Sequence, residues 1–264
     1  MDRSVAAVQV HHVVDGPDGG PTVVLHTSLG CALRMWDAQT GPLVAAGARV
    51  VRYDYRGHGQ SASVAGPYTL DDLGGDVIDM MDSLGVADAI HVGLSLGGMV
   101  AMWLAEHAPT RVTGLVLCAT SAELTPAEAW RERAAEVREA GSIGRIADAF
   151  LPRWLSPEFS AKHPDVVEWV RGQIIETTAD GFAGGCEAIA AMDLLPKLDR
   201  IEVPTSVVVG RQDPGTPPEH SERITATIRG ATVTILDPGA HLINVERPEP
   251  VTEAILTLMS RLAP

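Results

Sequence analysis

The segment Gly93-Leu94-Ser95-Leu96-Gly97-Gly98 sets a serine between glycines two positions before and two after it. A short apolar run, Ala89-Ile90-His91-Val92, precedes it, and a helical pattern from Met99 to His107 follows. A strand–turn–helix junction of this kind must turn sharply. Only small residues fit beside the turn, which lifts the serine hydroxyl out at the C-terminal edge of the strand. The chemistry it suits is nucleophilic attack on a carbonyl carbon. A serine nucleophile needs a base, and the base needs an orienting acid. For a serine on such a turn the expected chain order is Ser, acid, His. Among the downstream histidines, His107 falls in the helix after the turn, His163 in a helical stretch and His220 in a helix start, where exposure is expected. His241 lies in Asp237-Pro238-Gly239-Ala240-His241, a loop at the C-terminal end of the last apolar run. A base can hang there to reach Ser95. Asp213 leaves the preceding run, Val207-Val208-Val209-Gly210-Arg211-Gln212-Asp213-Pro214, in the same way. Asp237 is the rival acid, but it shares the loop of His241 and reads as a turn residue. The catalytic candidates are therefore Ser95, Asp213 and His241.

A tetrahedral oxyanion needs two backbone N–H donors aimed at its charge. One comes from Leu96, the residue after the nucleophile. The other is expected from the loop His26-Thr27-Ser28-Leu29-Gly30, where position favours the Ser28 amide. This apparatus calls for no cofactor. The residues Cys31, Cys118 and Cys186 are widely spaced, with no pair at metal-ligand spacing, so neither a cofactor nor a metal is expected.

The elements that must position these groups are legible as an alternation. Strand-like runs occur at Thr22–Leu25, Arg49–Tyr53, Ala89–Val92, Gly114–Leu117, Ser206–Val209 and Ala231–Ile235. Capping-box patterns at Thr69-Leu70-Asp71-Asp72 and Thr216-Pro217-Pro218-Glu219 predict helix starts between them. Strand–helix alternation implies a mostly parallel sheet with right-handed crossovers. The alternation stops near Ser121 and resumes near Pro204. Between them Thr125-Pro126-Ala127-Glu128 opens a helix, and the segment reads as helical throughout. All three Phe and three of the five Trp, namely Trp130, Trp154 and Trp169, fall in it. Aromatics so concentrated must face a core or a pocket. The expected organisation is a core of 1–121 and 204–264 with a small helical cap over 122–203.

Composition bounds the rest. With 264 residues, 45% hydrophobic and 20% charged, the chain is long enough to bury a core without disulfides. Its 34 acids against 20 bases give a net charge of -14, which repels phosphate backbones and anionic lipid. Nucleic acid is not an expected partner. No stretch reaches the ~18 apolar residues of a membrane span. Met1-Asp2-Arg3-Ser4 leads into no long apolar run, so no signal peptide is expected. An odd number of separated cysteines fits free thiols in a reducing compartment, and a cytoplasmic location is expected.

Taken with Tyr53-Asp54-Tyr55-Arg56-Gly57-His58-Gly59-Gln60-Ser61, these residues resemble those of an α/β-hydrolase over essentially the whole chain. The resemblance implies a mostly parallel central sheet flanked by helices, with the cap inserted after the sixth strand. It makes the Tyr53–Ser61 stretch the family's structural turn after the fourth strand, with His58 structural. A serine at position 95 argues against haloalkane dehalogenases and epoxide hydrolases, the relatives that use a carboxylate nucleophile.

A narrower resemblance is to 3-oxoadipate enol-lactonases. It is carried by Ser28-Leu29-Gly30 with Arg34-Met35-Trp36-Asp37, Ala129-Trp130-Arg131-Glu132-Arg133, Arg153-Trp154, Cys186-Glu187-Ala188-Ile189, Met192-Asp193-Leu194 and Asp213–Glu219. Two departures stand out: His26-Thr27 where small polar residues are typical, and Gly185 before Cys186 where a second Cys is frequent. The implied substrate is a small anionic lactone or ester whose carboxylate needs a local cation. Arg153 beside Trp154 and Arg34 before Trp36 are the candidates, with Trp130 as a pocket wall. A carboxylesterase, a carbon–carbon bond hydrolase or a cofactor-free perhydrolase would use the same triad. A non-catalytic binding protein on the same fold would not acylate rapidly with an activated ester.

Overall fold

The chain opens with β1 (His12–Asp15), β2 (Thr22–His26), α1 (Asp37–Ala45) and β3 (Arg49–Tyr53). It continues through α2 (Leu70–Ser83), β4 (Ala89–Leu94), α3 (Leu96–His107) and β5 (Val112–Cys118). Five helices follow without a strand between them: α4 (Ala127–Ala140), α5 (Gly144–Trp154), α6 (Pro157–Lys162), α7 (Pro164–Glu176) and α8 (Ala179–Ala191). Then come β6 (Thr205–Gly210), α9 (Pro218–Thr227), β7 (Thr232–Leu236), α10 (Ile243–Glu246) and α11 (Pro248–Leu262). This computed structural model describes residues 7–263; Met1–Ser4, read above for an export signal, and Pro264 lie outside them.

The strands form one sheet in the order β1-β3-β2-β4-β5-β6-β7. Only β1 runs antiparallel, pairing with β3. The other pairs are parallel, as the strand–helix alternation predicts. All six expected runs are strands. The seventh, β1, was not foreseen because its four half-buried residues at the sheet edge carry little apolar signal. Central β4 is buried along its whole length, since helices cover both faces. The helix α3, apolar almost all round, packs against β4, β2, β5 and α2, which explains why it shows no polar face.

Both expected helix starts are present, but only one carries the expected cap. Thr69 forms the expected capping box with Asp72. Thr216 does not cap α9, whose first residue is Pro218; its hydroxyl is bound elsewhere, as described below. Among the described residues the helical insertion follows β5, the fifth strand, one fewer than the resemblance's count of six. No helix of the described residues is long and apolar enough to cross a membrane. The three cysteines are free and buried.

Candidate active site

Ser95 sits between β4 and α3 with φ 55° and ψ -116°, a backbone conformation that L-residues rarely adopt. Its neighbours enforce the turn. A Cβ on Gly93 would stand 2.2 Å from the carbonyl oxygen of Gly97, and one on Gly97 would stand 2.4 Å from that of His26. The backbone is pinned on both sides, the Ser95 N–H donating to Cys118 at 2.9 Å and the Thr120 hydroxyl donating to the Ser95 carbonyl at 2.7 Å. Surrounding structure thus holds the strain that the glycines permit.

Asp213 follows β6 and His241 follows β7, so the two adjacent parallel strands deliver them to the same sheet edge as Ser95. His241 Nδ1 donates to Asp213 Oδ2 at 2.8 Å, which leaves Nε2 as the acceptor. Asp213 also accepts the Gly215 and Thr216 amides at 2.8 and 3.0 Å and the Thr216 hydroxyl at 2.7 Å. Burial opposes ionisation of this carboxyl, but His241 and the Thr216 bonds outweigh it and hold it below the usual carboxylate range. The rival Asp237 is exposed and paired with Arg211 at 3.0 Å.

Ser95 and His241 line one cavity of about 280 Å³. No hydrogen bond joins them among the described residues; in serine sites this contact commonly tightens only as substrate is engaged. The Leu96 amide opens α3 and finds no hydrogen-bond acceptor among the described residues. The Ser28 amide meets only the Met35 thioether, at 3.3 Å, an acceptor weak enough to yield to an oxyanion. His58 holds this loop from behind: its Nε2 accepts the Gly30 amide at 3.0 Å while Nδ1 donates to the Arg56 carbonyl at 3.1 Å. That is the structural role expected of it. His220 is half-buried rather than exposed, because its Nδ1 meets the Ser121 hydroxyl at 2.9 Å.

The wall opposite Ser95 comes from the helical insertion. Trp130, Arg153 and Trp154 line the cavity. Arg34 and Trp36 do not. The Arg34 side chain is half exposed and paired with Glu176 at 3.1 Å, whereas Trp36 is fully buried, its Nε1 donating to the His26 carbonyl at 3.2 Å. The short helical turn Leu33–Trp36 aims one residue out to solvent and the other into the core. Arg133 and Phe150, which were not among the expected site residues, also line the cavity. Arg133 stacks its guanidinium carbon 4.9 Å from the Trp130 ring and 4.7 Å from that of Phe150. The i, i+3 spacing of Trp130 and Arg133 on α4 was the available signal. Burial, and after it the nearby charge of Arg153, pull the Arg133 pKa down. Among the described residues neither arginine has an ion-pair partner.

Residues 21–248 match the model of a family described as having the alpha/beta hydrolase fold. The chain belongs to the α/β-hydrolase family. This hydrolase is 35% identical over 254 residues to the 3-oxoadipate enol-lactonase 2 of Acinetobacter baylyi, covering 96% of this chain and 94% of that protein. A hydrolase structure from Pseudomonas aeruginosa superposes with a TM-score of 0.92 at 42% identity, covering 98% of both chains. The enol-lactonase structure from Burkholderia xenovorans also superposes at 0.92, with 36% identity and 96% and 97% of the two chains covered. The expected fold, a helix-flanked and mostly parallel sheet, is thereby borne out for the hydrolase.

Proposed function

We propose that the chain hydrolyses the ester bond of a small carboxylated enol-lactone, 3-oxoadipate enol-lactone to 3-oxoadipate, through an acyl-serine. The observation that carries this reading is the pair of arginines without ion-pair partners, Arg133 and Arg153, in a cavity that also holds Ser95 and His241. A protein with a net charge of -14 has acids to spare for neutralising a cation. Two guanidiniums left without carboxylates beside a nucleophile suit an anionic substrate. The enol-lactonase likeness on both sequence and structure supports the same class.

In this reading Ser95 Oγ attacks the lactone carbonyl as His241 Nε2 takes its proton, and Asp213 keeps the imidazole in that tautomer. The Leu96 and Ser28 amides stabilise the oxyanion. Collapse breaks the ring C–O bond and expels an enolate, a better leaving group than an alkoxide; the enolate takes up the proton that His241 received from Ser95 and becomes the 3-oxo group, leaving the imidazole neutral. Water then attacks the acyl-serine with His241 again as base, releasing the acid and restoring Ser95. Trp130, Phe150 and Trp154 would clasp the ring between apolar faces while the arginines hold the carboxylate.

The test is a set of progress curves with the enol-lactone generated in situ, set beside neutral p-nitrophenyl esters of similar size. The lactone should be hydrolysed with a kcat/KM well above that of the esters. Equal or better turnover of the neutral esters would replace this reading with a carboxylesterase.

A further inference from the structure

The backbone amides on both sides of His241 are bound to one short stretch of the helical insertion. The Leu242 N–H donates directly to the Trp154 carbonyl at 2.8 Å. On the other side, the Ala240 N–H donates to Glu246 Oε2 at 3.1 Å. The same oxygen accepts the Ser156 N–H at 3.1 Å, and Oε1 accepts the Ser156 hydroxyl at 2.5 Å. Ser156 is the N-cap of α6, two residues after Trp154. Glu246 is buried, and no cation pairs with it among the described residues. Buried carboxyl oxygens are tolerated where hydrogen-bond donors satisfy them, and here three do.

We propose that Glu246 is a positioning residue that sets the His241 loop in register with the pocket wall, a role that rests on the reading of His241 as the base. Glu246 touches neither Ser95 nor the cavity. Trp154 does line the cavity, its ring 6.2 Å from that of His241. The geometry therefore makes one rigid unit of the imidazole and the wall that confines the substrate. Glu246 supplies the half of that link that side chains can make. A base displaced by a fraction of an ångström loses its line to the serine proton, and misplacement on the 1 Å scale costs about a hundredfold in rate.

The experiment follows the labelling of Ser95 by a fluorophosphonate, which needs His241 but no particular substrate. The rate constant reads alignment; the final amplitude counts folded, competent sites. Glu246→Ala should lower the rate constant about tenfold or more at nearly full amplitude. Glu246→Gln should recover most of that loss, because its oxygen can accept the two amides while its NH2 donates to the Ser156 hydroxyl. Ser156→Ala should slow labelling about threefold, the worth of one ordinary hydrogen bond, and should add nothing in the Glu246→Ala background. A merely structural Glu246 would lower the amplitude or the melting temperature and leave the rate constant of the surviving sites unchanged. That result, or wild-type rates in both Glu246→Ala and Ser156→Ala, overturns the proposal. If Glu246→Ala does not fold, Ser156→Ala and Glu246→Gln still decide it. A wild type unreactive at Ser95 removes the hydrolytic reading and this one together, whereas a reactive wild type with equally reactive variants removes this one alone.

Discussion

Asp213 and His241, 28 residues apart in the chain, meet at 2.8 Å because β6 and β7 are adjacent and parallel and each ends in a loop at the same sheet edge. The pairing selects Asp213 over Asp237 as the partner of the imidazole. It also fixes the tautomer, since a carboxylate can only accept the Nδ1 proton. Asp213→Asn should lower kcat/KM by on the order of 10³–10⁴-fold by disfavouring that tautomer, while Asp237→Asn, on a surface pair, should change it less than about twofold. Steady-state kinetics on both variants check this ranking, and the reverse order would transfer the acid to Asp237.

Replacement of Ser95, the proposed nucleophile, should be as decisive. Ser95→Ala is expected to lower turnover by about four to six orders of magnitude. Its unfolding midpoint should barely move, because the backbone bonds of residue 95 to Cys118 and Thr120 remain. Intact-mass analysis after fluorophosphonate treatment should show a single adduct on the wild type and none on the variant. Residual activity above about a tenth of wild type would mean another nucleophile.

The pH dependence of kcat/KM should show no acid limb in the usual carboxylate range. The proposed mechanism needs Asp213 ionised, and His241 with the Thr216 bonds holds its carboxyl below that range. Activity that depends on this carboxylate should therefore be lost only at still lower pH, and a limb in the carboxylate range would contradict the assignment.

Substrate charge should be read by the insertion. Arg133→Lys and Arg153→Lys are expected to raise KM for a carboxylated lactone by an amount worth about 1.5–3 kcal/mol, since lysine cannot reproduce a bidentate pair. Neutral esters should be nearly unaffected. Arg34→Lys should alter neither, because that side chain is paired with Glu176 outside the cavity. Equal losses on charged and neutral substrates would make the arginines structural and leave the anionic pocket without support.

Away from the site, both carboxylate oxygens of Glu106 are buried without a hydrogen-bond partner, and burial, against the pull of Lys197 and Arg200, raises the carboxyl from 4.5 to about 7. A raised carboxyl binds its proton more tightly in the fold than in the unfolded chain. Its contribution to stability therefore falls as pH rises from about 4.5 through about 7. Glu106→Gln should leave stability unchanged near pH 4 and increase it by about 1 kcal/mol or more above pH 7. Urea titrations at several pH values supply the difference curve; a flat difference would show that Glu106 finds partners in solution.

The sequence alone determined what sterics and strand order impose locally. Glycine is the one residue type whose Cβ-free backbone tolerates the contacts at positions 93 and 97 beside Ser95, so the turn is written in residue type. Asp213 and His241 could be assigned because each closes a readable run, and strands in a parallel sheet all end at one edge. The turn at His58, by contrast, was implied only by the resemblance to the hydrolase family. What lines the cavity was decided by tertiary packing. Arg34 and Arg133 are alike as residues, yet one lies over the surface beside Glu176 and the other between Trp130 and Phe150. Nothing in a neighbourhood of three or four residues distinguishes them; the way α4 and α5 lie over the sheet does. Thr216 satisfied a capping pattern but bonds Asp213 instead, because the charge of a buried carboxylate attracts a hydroxyl more strongly than a helix end opened by proline. The Glu246 contacts join residues 90 apart in the chain. Such contacts exist only once the insertion has docked, because hydrogen bonds between distant segments depend on where packing brings those segments together.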